Sequence, residues 1–563
     1  MSDVDARRHT TSRRSLLACS TAAAVVATLT QVDISRALAQ HASPVSSPIA
    51  ITDIVQTTSG PVTGLIQDDV AAYKGIPYAA PPLGELRWAP PQPVSAWTEP
   101  LAATDFCHDC MQVTGPESIQ TEPSEDCLCL NVWRPYGDVM IDALLPVVIW
   151  IHGGGYVGGG SSIPWFDGAA FARQGIVLVS FNYRLARFGF FAPSALIENS
   201  EAPYANYGYL DQIAVLHWVQ ENISRFGGDP ARVTLMGESA GGSSVVHLMT
   251  SPVVEDGLFQ QAVVLSGAGR LALLDRPLKH PGFGHLSATN VDNLFSASAG
   301  VSGSSPEALE ELRALPAGEL VGDLDMEKLV ERKLIGGPLV GVPATDGEIV
   351  AGQPQDHFLN GTAKLMPVLI GTTAIDVPTH FAPNKLHPLG WFGPDEDAAR
   401  AAYGFGDHQF LLPPDLIQLN LAIGADITMH EPAHFIASTM HNAGFDAWVY
   451  RFTYTAESTR PEHTEQVHAG ELPFLFDNLA AKYGDAVTEQ DEATAAAFNT
   501  YVSNFVKSGN PNSDGLPDWP PITPAEFDVM NFTLDDGPVF GPDPRPSVAL
   551  VSAAQERHLA GTS

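Results

Sequence analysis

The stretch Gly237-Glu238-Ser239-Ala240-Gly241 follows an apolar run, Val233-Thr234-Leu235-Met236, and precedes a segment with helical character. A serine between two glycines at a strand-to-helix turn is held in a sharp backbone bend. Small flanking residues allow the close approach that the bend needs. Such a turn lifts the hydroxyl clear of a sheet and sets it at a helix amino terminus, where oriented N–H groups favour developing negative charge. The chemistry this suits is nucleophilic attack on a carbonyl. A serine hydroxyl is weak at neutral pH, so Ser239 needs a base and a site for an oxyanion.

The run His152-Gly153-Gly154-Gly155-Tyr156 follows directly on the apolar segment Leu145 to Ile151. Consecutive glycines let neighbouring backbone N–H groups turn toward one point, and the Ala240 N–H supplies a further donor. A phosphate-cradling loop is the competing reading of such a run, but no Gly-Lys-Ser/Thr follows it. Eighteen histidines compete for the role of base. This serine turn resembles that of the α/β-hydrolases, and the resemblance implies that the acid and then the histidine follow the serine in the chain. His152 and His247 do not fit that order and are read as structural.

These residues need a frame. Leu145 to His152, Gly175 to Asn182, Val233 to Met236, Ala262 to Ser266 and Pro367 to Gly371 are short, nearly continuous apolar runs, as expected of strands buried on both faces. Between them, Ile213 to Arg225 places Ile213, Leu216, Val219, Gln220 and Ile223 on one helical stripe. Alternating strands and helices predict a large, mostly parallel central sheet with helices on both faces, an α/β fold. The stretch from about 270 to 345 is more helical and is expected to form a cap or side subdomain.

Composition sets outer bounds. Of 563 residues 45% are apolar and 17% charged, enough for a large core and unlike a disordered chain or a coiled coil. Asp and Glu number 64 against 29 Lys and Arg, a net charge of −35. Phosphate backbones and anionic membranes repel such a surface, so nucleic-acid binding is not expected. Residues 1–39 read as an export leader. Arg13-Arg14 stands directly before the uncharged stretch Ser15 to Thr30, and Ala37-Leu38-Ala39 offers small residues for cleavage before Gln40. The pattern resembles a twin-arginine signal, which predicts a periplasmic or secreted chain of residues 40–563. No other uncharged run is long enough to span a membrane. Cys107, Cys110, Cys127 and Cys129 fall within 23 residues, and in an exported chain they point to disulfides. Zinc is the competing reading of Cys107-x-x-Cys110, but Cys127-x-Cys129 does not fit it, because adjacent strand positions face opposite ways.

Several further segments resemble the type-B carboxylesterase/lipase family of α/β-hydrolases, which includes the cholinesterases. They are Tyr73 to Trp88 (YKGIPYAAPPLGELRW), Ser124 to Trp133 (SEDCLCLNVW), Phe181-Asn-Tyr-Arg184, Asn206 to Gln212 (NYGYLDQ), Phe226 to Pro230 (FGGDP) and Gly237 to Gly242. The resemblance spans nearly the whole of residues 40–563. It implies an α/β-hydrolase fold and a serine carboxylesterase that needs no cofactor or metal. It also implies oxyanion donors at Gly154, Gly155 and Ala240, and a disulfide between Cys110 and Cys127. Cys107 and Cys129 are then extras, paired with each other or free.

Val467 to Phe474 (VHAGELPF) resembles the family's histidine segment. His468 is then the base, with Ala469 where a glycine is usual, and His463 is the nearest decoy. The family places its acid, a glutamate, after a buried strand. Here Asp376 occupies that place, with Ile375 and Val377 where Asp and Gly are usual; Asp346 and Glu348 are rivals. An aspartate can orient an imidazole equally well, at the cost of an arm one methylene shorter. The same resemblance implies that Glu238 biases the site toward negative potential, and that Ser266 and Glu471 support the hydrogen bonds around His468.

Two other readings accompany this one. A catalytically inert binding module uses the same fold, but such relatives lose the serine or histidine, and this chain keeps both. A lipase, or a hydrolase of bulky or carbamate esters, keeps the chemistry and changes the substrate. For substrate contacts, Gly269 to Leu286 is the expected gorge-lining segment, with Arg270, Arg276 and Lys279 either facing an anionic group or simply solvated.

Overall fold

The structure is a computed structural model that describes residues 50–561 apart from 115–118, 138–142, 201–204, 275, 279–285, 335–336, 406–412, 525 and 536. The leader 1–39 and Lys279 lie outside the described residues.

Among the described residues there are fifteen strands: β1 (Ala50–Ile51), β2 (Val55–Gln56), β3 (Pro61–Thr63), β4 (Leu65–Gln67), β5 (Val70–Pro77), β6 (Leu101–Ala102), β7 (Cys129–Pro135), β8 (Leu145–Ile151), β9 (Val177–Phe181), β10 (Gly228–Glu238), β11 (Gln261–Leu265), β12 (Val368–Thr373), β13 (Ala447–Phe452), β14 (Asp528–Thr533) and β15 (Gly537–Pro542). Twelve form one sheet in the order β1-β4-β5-β7-β9-β8-β10-β11-β12-β13-β14-β15, and β2, β3 and β6 form a small second sheet. From β9 across to β14 every neighbouring pair is parallel. The strands on either side of that block are antiparallel, and β15, an edge strand, carries Pro538 and Pro542.

The apolar runs become central strands because both of their faces are covered. Alternate residues point to opposite sides. Val147, Ile149, Ile151, Leu235, Val264, Ile370 and Val449 join one core cluster. Their neighbours Val148, Trp150, Met236, Val263, Leu369 and Trp448 join another on the far face. Each such aliphatic side chain contributes about 1.5–3 kcal/mol relative to exposure. The parallel block therefore sits deep in the molecule and presents the carboxyl ends of β8, β10, β11, β12 and β13 along one edge. Ligands in open α/β sheets bind at that edge.

The helix expected from Ile213 starts earlier, at Tyr207, and runs to Asn222, followed by a 3₁₀ turn at Ile223–Phe226. The narrow stripe is also too modest a description. Tyr207, Tyr209, Asp211, Gln212, Val215, Leu216, Trp218 and Val219 are all buried, while Gln220 is only half-buried. Burial on several sides erases the amphipathic signal that would have marked its start. Its amino-terminal half is anchored instead by a buried ion pair, Arg184 Nη2 to Asp211 Oδ1 at 2.7 Å. The 270–345 region holds the helices Ala288–Ser298, Pro306–Arg313, Ala317–Val321 and Met326–Leu334. Leu309, Leu312 and Leu320 there pack against Trp88, Phe188 and Phe191 of the main body, so this layer shares its core with the rest.

Candidate active site

β10 ends at Glu238 and a helix, Ala240–Thr250, begins two residues later. Between them Ser239 has φ 56° and ψ −120°, a conformation that non-glycine residues rarely adopt. The flanking sequence makes the bend possible. A Cβ on Gly237 would collide with the Gly241 backbone, and one on Gly241 with the Ile151 carbonyl. The Ser239 N–H donates to the Leu265 carbonyl at 2.9 Å, which ties the bend to β11. As the first residue of its helix, Ala240 has no intrahelical acceptor for its N–H.

His468 stands over Ser239. Its Nε2 lies 2.8 Å from Ser239 Oγ, and its Nδ1 lies 2.5 Å from Asp376 Oδ1. The residues are 229 and 92 positions apart in sequence, and strand ends bring them together. The acid and base loops run side by side: Ile375 N–H donates to Gln466 O at 2.9 Å, beside a parallel bridge between Ile375 and Val467. Ala469, where the resemblance implies a glycine, takes φ 62°. A left-handed backbone there costs an alanine about 1–2 kcal/mol.

Asp376 is buried. Its Oδ2 accepts from Ser266 Oγ at 2.6 Å and from Thr373 Oγ1 at 3.5 Å, and its Oδ1 accepts from the Val377 N–H at 2.9 Å. Burial alone would raise this carboxyl, but the positive potential of His468 and the converging donors hold it below its ordinary range. Ser266 thus meets Asp376 directly, and through it His468. The imidazole responds in the opposite sense: burial would lower it, and the Asp376 charge, with help from Glu238, more than offsets that and raises it.

Glu238 Oε1 lies 3.2 Å from His468 Nε2, the nitrogen that also faces Ser239. Burial pushes Glu238 up to about 7, and burial together with the charge of Glu238 pushes Glu471 up to about 8. Both are therefore easier to protonate than an ordinary carboxyl, whereas Asp376 is held toward its anion. The other candidates lie elsewhere. Asp346 accepts from Asn206 Nδ2 at 2.7 Å and from the Glu348 and Val350 N–H groups, and so shapes a turn; Glu348 is exposed. His152 stacks on Tyr183 at 4.5 Å, and burial pulls both His152 and His247 down to about 4, which keeps them neutral. His463 sits in a turn, its N–H bonded to Thr459 O.

The glycine loop after β8 lies against the nucleophile. A Cβ on Gly153 would fall 3.0 Å from the Ser239 Cβ. Gly154 and Gly155 have φ 108° and 60°, and the Val157 and Gly158 N–H groups both close onto Gly154 O at 3.0 Å. From behind, Gln112 donates to Gly159 O at 2.7 Å and accepts from Gly159 N–H at 2.9 Å. The segment carrying Gln112 is stapled by two disulfides, Cys110–Cys127 and Cys107–Cys129, so all four sulfurs are engaged with each other rather than offered to a metal.

Two sequence expectations need correction. Arg270 and Arg276 are neither solvated nor aimed at a ligand. Arg270 pairs with Glu431 at 2.5 Å and Arg276 with Asp292 at 2.5 Å, all four side chains buried. Burial in the side layer demands a counter-charge, and sequence spacing gave no sign of partners 161 and 16 residues away. A segment that lies over the glycine loop went unread. A Cβ on Gly155 would collide with Met326 Sδ and come within 3.0 Å of Leu329. The signal was present as an amphipathic pattern in MEKLVERKL, Met326 to Leu334, but nothing in it named its target.

Comparison with known proteins agrees with this geometry. A family model described as the carboxylesterase family matches residues 51–386 and 416–539. The chain is 33% identical over 486 residues to a para-nitrobenzyl esterase of Bacillus subtilis (strain 168), covering 83% of this chain and 92% of that protein. It is 32% identical over 515 residues to a fumonisin B1 esterase of Sphingopyxis macrogoltabida, covering 88% of each. A solved PNB esterase structure superposes with a TM-score of 0.72 at 30% identity, over 90% of this chain and 99% of that one. A serine bent onto a helix amino terminus, a histidine over it and a glycine loop beside it are the parts an acyl-transfer site requires, and the chain belongs to the carboxylesterase family, as a serine hydrolase of carboxylic esters.

Proposed function

We propose that Ser239, His468 and Asp376 carry the hydrolysis. The observation that supports this most directly is the unbroken path from Ser239 Oγ through His468 to Asp376, at 2.8 and 2.5 Å. In this reading Ser239 Oγ attacks the ester carbonyl while His468 Nε2 takes its proton. Asp376 holds the imidazole with Nδ1–H toward itself and stabilises the imidazolium. The tetrahedral oxyanion lies among the N–H groups of Gly154, Gly155 and Ala240, and His468 returns its proton to the departing alcohol. Water, activated by the same imidazole, then cleaves the acyl-enzyme and frees the acid and Ser239. No cofactor enters these steps.

The substrate is a small-molecule ester. Two relatives are named for bulky esters, the para-nitrobenzyl and fumonisin B1 esterases, which supports including such esters among the candidates. Export by the twin-arginine route, to the periplasm or beyond, accords with the leader at residues 1–39 and with two disulfides in the body. Among the described residues no helix is long and apolar enough to cross a membrane.

The test is turnover of p-nitrophenyl acetate, butyrate and palmitate by residues 40–563, with Ser239→Ala alongside and an organophosphate as a covalent probe. Turnover of the short esters, a loss on the order of 10⁶-fold in Ser239→Ala, and labelling that disappears with Ser239 are expected. Turnover of palmitate alone would mark a lipase. An inert, unlabelled wild type would sink the reading in favour of a binding module.

A further inference from the structure

Between the helices Pro413–Ala425 and Glu431–Asn442, the chain makes a single π-helical turn, Asp426–His430. Pro432 explains where it falls: it has no N–H to offer the Thr428 carbonyl and its ring crowds that oxygen, so an α turn cannot continue there. The Glu431 N–H reaches back to Asp426 O instead. Turns of this kind concentrate at functional sites. All five residues are buried, and three of them are polar or charged.

Each polar residue grips a different point of the segment that carries Asp376. His430 Nδ1 accepts from Thr372 Oγ1 at 2.8 Å, on β12. Asp426 Oδ1 holds Arg545 through Nε at 2.9 Å, and Arg545 Nη1 donates to Ala374 O at 3.1 Å, two residues before Asp376. Thr428 Oγ1 accepts from the N–H groups of both Thr379 and His380 at 3.0 Å, just beyond Asp376. Residues two apart do not share a helix face. Segment 372–380 therefore passes from the Asp426 and His430 side of the turn to the Thr428 side and wraps it. Gly424 lets the two approach: a Cβ there would lie 2.7 Å from the Pro378 Cβ.

The turn is itself braced. Asp426 Oδ2 accepts from Tyr403 at 2.7 Å and from Ser547 at 2.6 Å, and Arg451 donates to His430 Nδ1 and to Asp543 Oδ2. With Nδ1 accepting from both Thr372 and Arg451, His430 is a neutral imidazole carrying its proton on Nε2, which faces Asp426 Oδ1 at 3.9 Å. It is a fixed strut and not a proton carrier.

We propose that the π turn Asp426–His430, acting through Thr428 and the Asp426–Arg545 pair, positions the loop that presents Asp376 to His468. The inference rests on Asp376 being the triad acid. A short aspartate arm leaves little slack, and a loop fixed on both flanks brings its carboxylate within 2.5 Å of Nδ1.

The experiment compares Thr428→Val, Thr428→Ser, Arg545→Lys and Asp376→Asn in residues 40–563, reading kcat, KM, the pH–rate profile and Tm. Thr428→Val keeps the shape and removes the acceptor for two N–H groups. Arg545→Lys keeps the charge on Asp426 and loses the arm to Ala374. A displaced carboxylate should lower kcat about 10- to 100-fold with KM little changed. It should also move the rising limb of the pH profile toward acid, because His468 loses its raising partner while Glu238 and Glu471, the other acids that face it, remain. Thr428→Ser should restore both. If Asp376→Asn is crippled but Thr428→Val and Arg545→Lys keep the wild-type kcat and pH limb, whatever their Tm, the positioning role is wrong. If Asp376→Asn is fully active, the triad reading falls first and takes this inference with it. Should Thr428→Val fail to fold, Arg545→Lys decides alone, since that side chain is a quarter exposed.

Discussion

The two halves of the site are built from different materials. On the nucleophile side the parts are main chain: a strand end, a strained serine, a helix amino terminus and a glycine loop, all within 152–159 and 237–241. On the acid side the parts are side chains drawn from distant segments. Ser266, Thr428, Arg545 and His468 converge on Asp376 or its loop from four places in the sequence. A backbone-built site admits almost no change, because an added Cβ at Gly237 or Gly241 meets other backbone. A side-chain-built site can be retuned piece by piece, and the proposed acid Asp376 stands where the family resemblance implies a glutamate.

The sharpest way to break the contrast is Asp376→Asn. The bend at Ser239 should survive intact, so covalent labelling geometry persists while kcat falls by about 10⁴. The sign of the accompanying pH change follows from the electrostatics. The carboxylate raises His468, and hydrolysis requires the neutral imidazole, so the residual activity should rise at lower pH than in the wild type; an unmoved limb would mean that Asp376 does not face His468 in solution. Asp376→Glu is a subtler probe. If the loop is set for the shorter arm, restoring the family's residue should cost about 10- to 100-fold in kcat through misplacement by one methylene. Equal or better activity would show an acid side that adapts freely. The smallest catalytic effect is expected from Cys107→Ser with Cys129→Ser. Removing that staple should lower stability by about 2–4 kcal/mol, seen in Tm or urea midpoint, and barely move kcat, because Gln112 and the Cys110–Cys127 bond still back the glycine loop. A collapse of kcat at unchanged stability would place the staple inside the machinery.

The same contrast decides what could be read from the chain alone. Ser239 and the glycine loop were legible because their function needs contiguous residues, and strands β8 and β10 announce themselves as apolar runs. Asp376 and His468 were reachable only through the resemblance to a family; spacing of 92 residues says nothing about a 2.5 Å contact. Ser266 was placed near the right network, but its bond to Asp376 was invisible. Arg270 and Arg276 looked like surface charges because a sequence does not display the buried Glu431 and Asp292 that neutralise them. The helix at Tyr207–Asn222 hid its start because burial on several sides removes periodicity. Pro432 was visible in the sequence, but the helices on either side of it were not read. That the resulting turn would hold three points of a loop some fifty residues upstream depends on packing that no local pattern encodes.

One feature of the sheet bears on how the protein behaves in crowded solution. At one rim the twelve-stranded sheet ends at β15, where Pro538 and Pro542 stand in a six-residue strand. A proline offers no N–H to a new neighbour. The β15 rim of the sheet thus offers a poor template to a second copy adding a strand edge to edge.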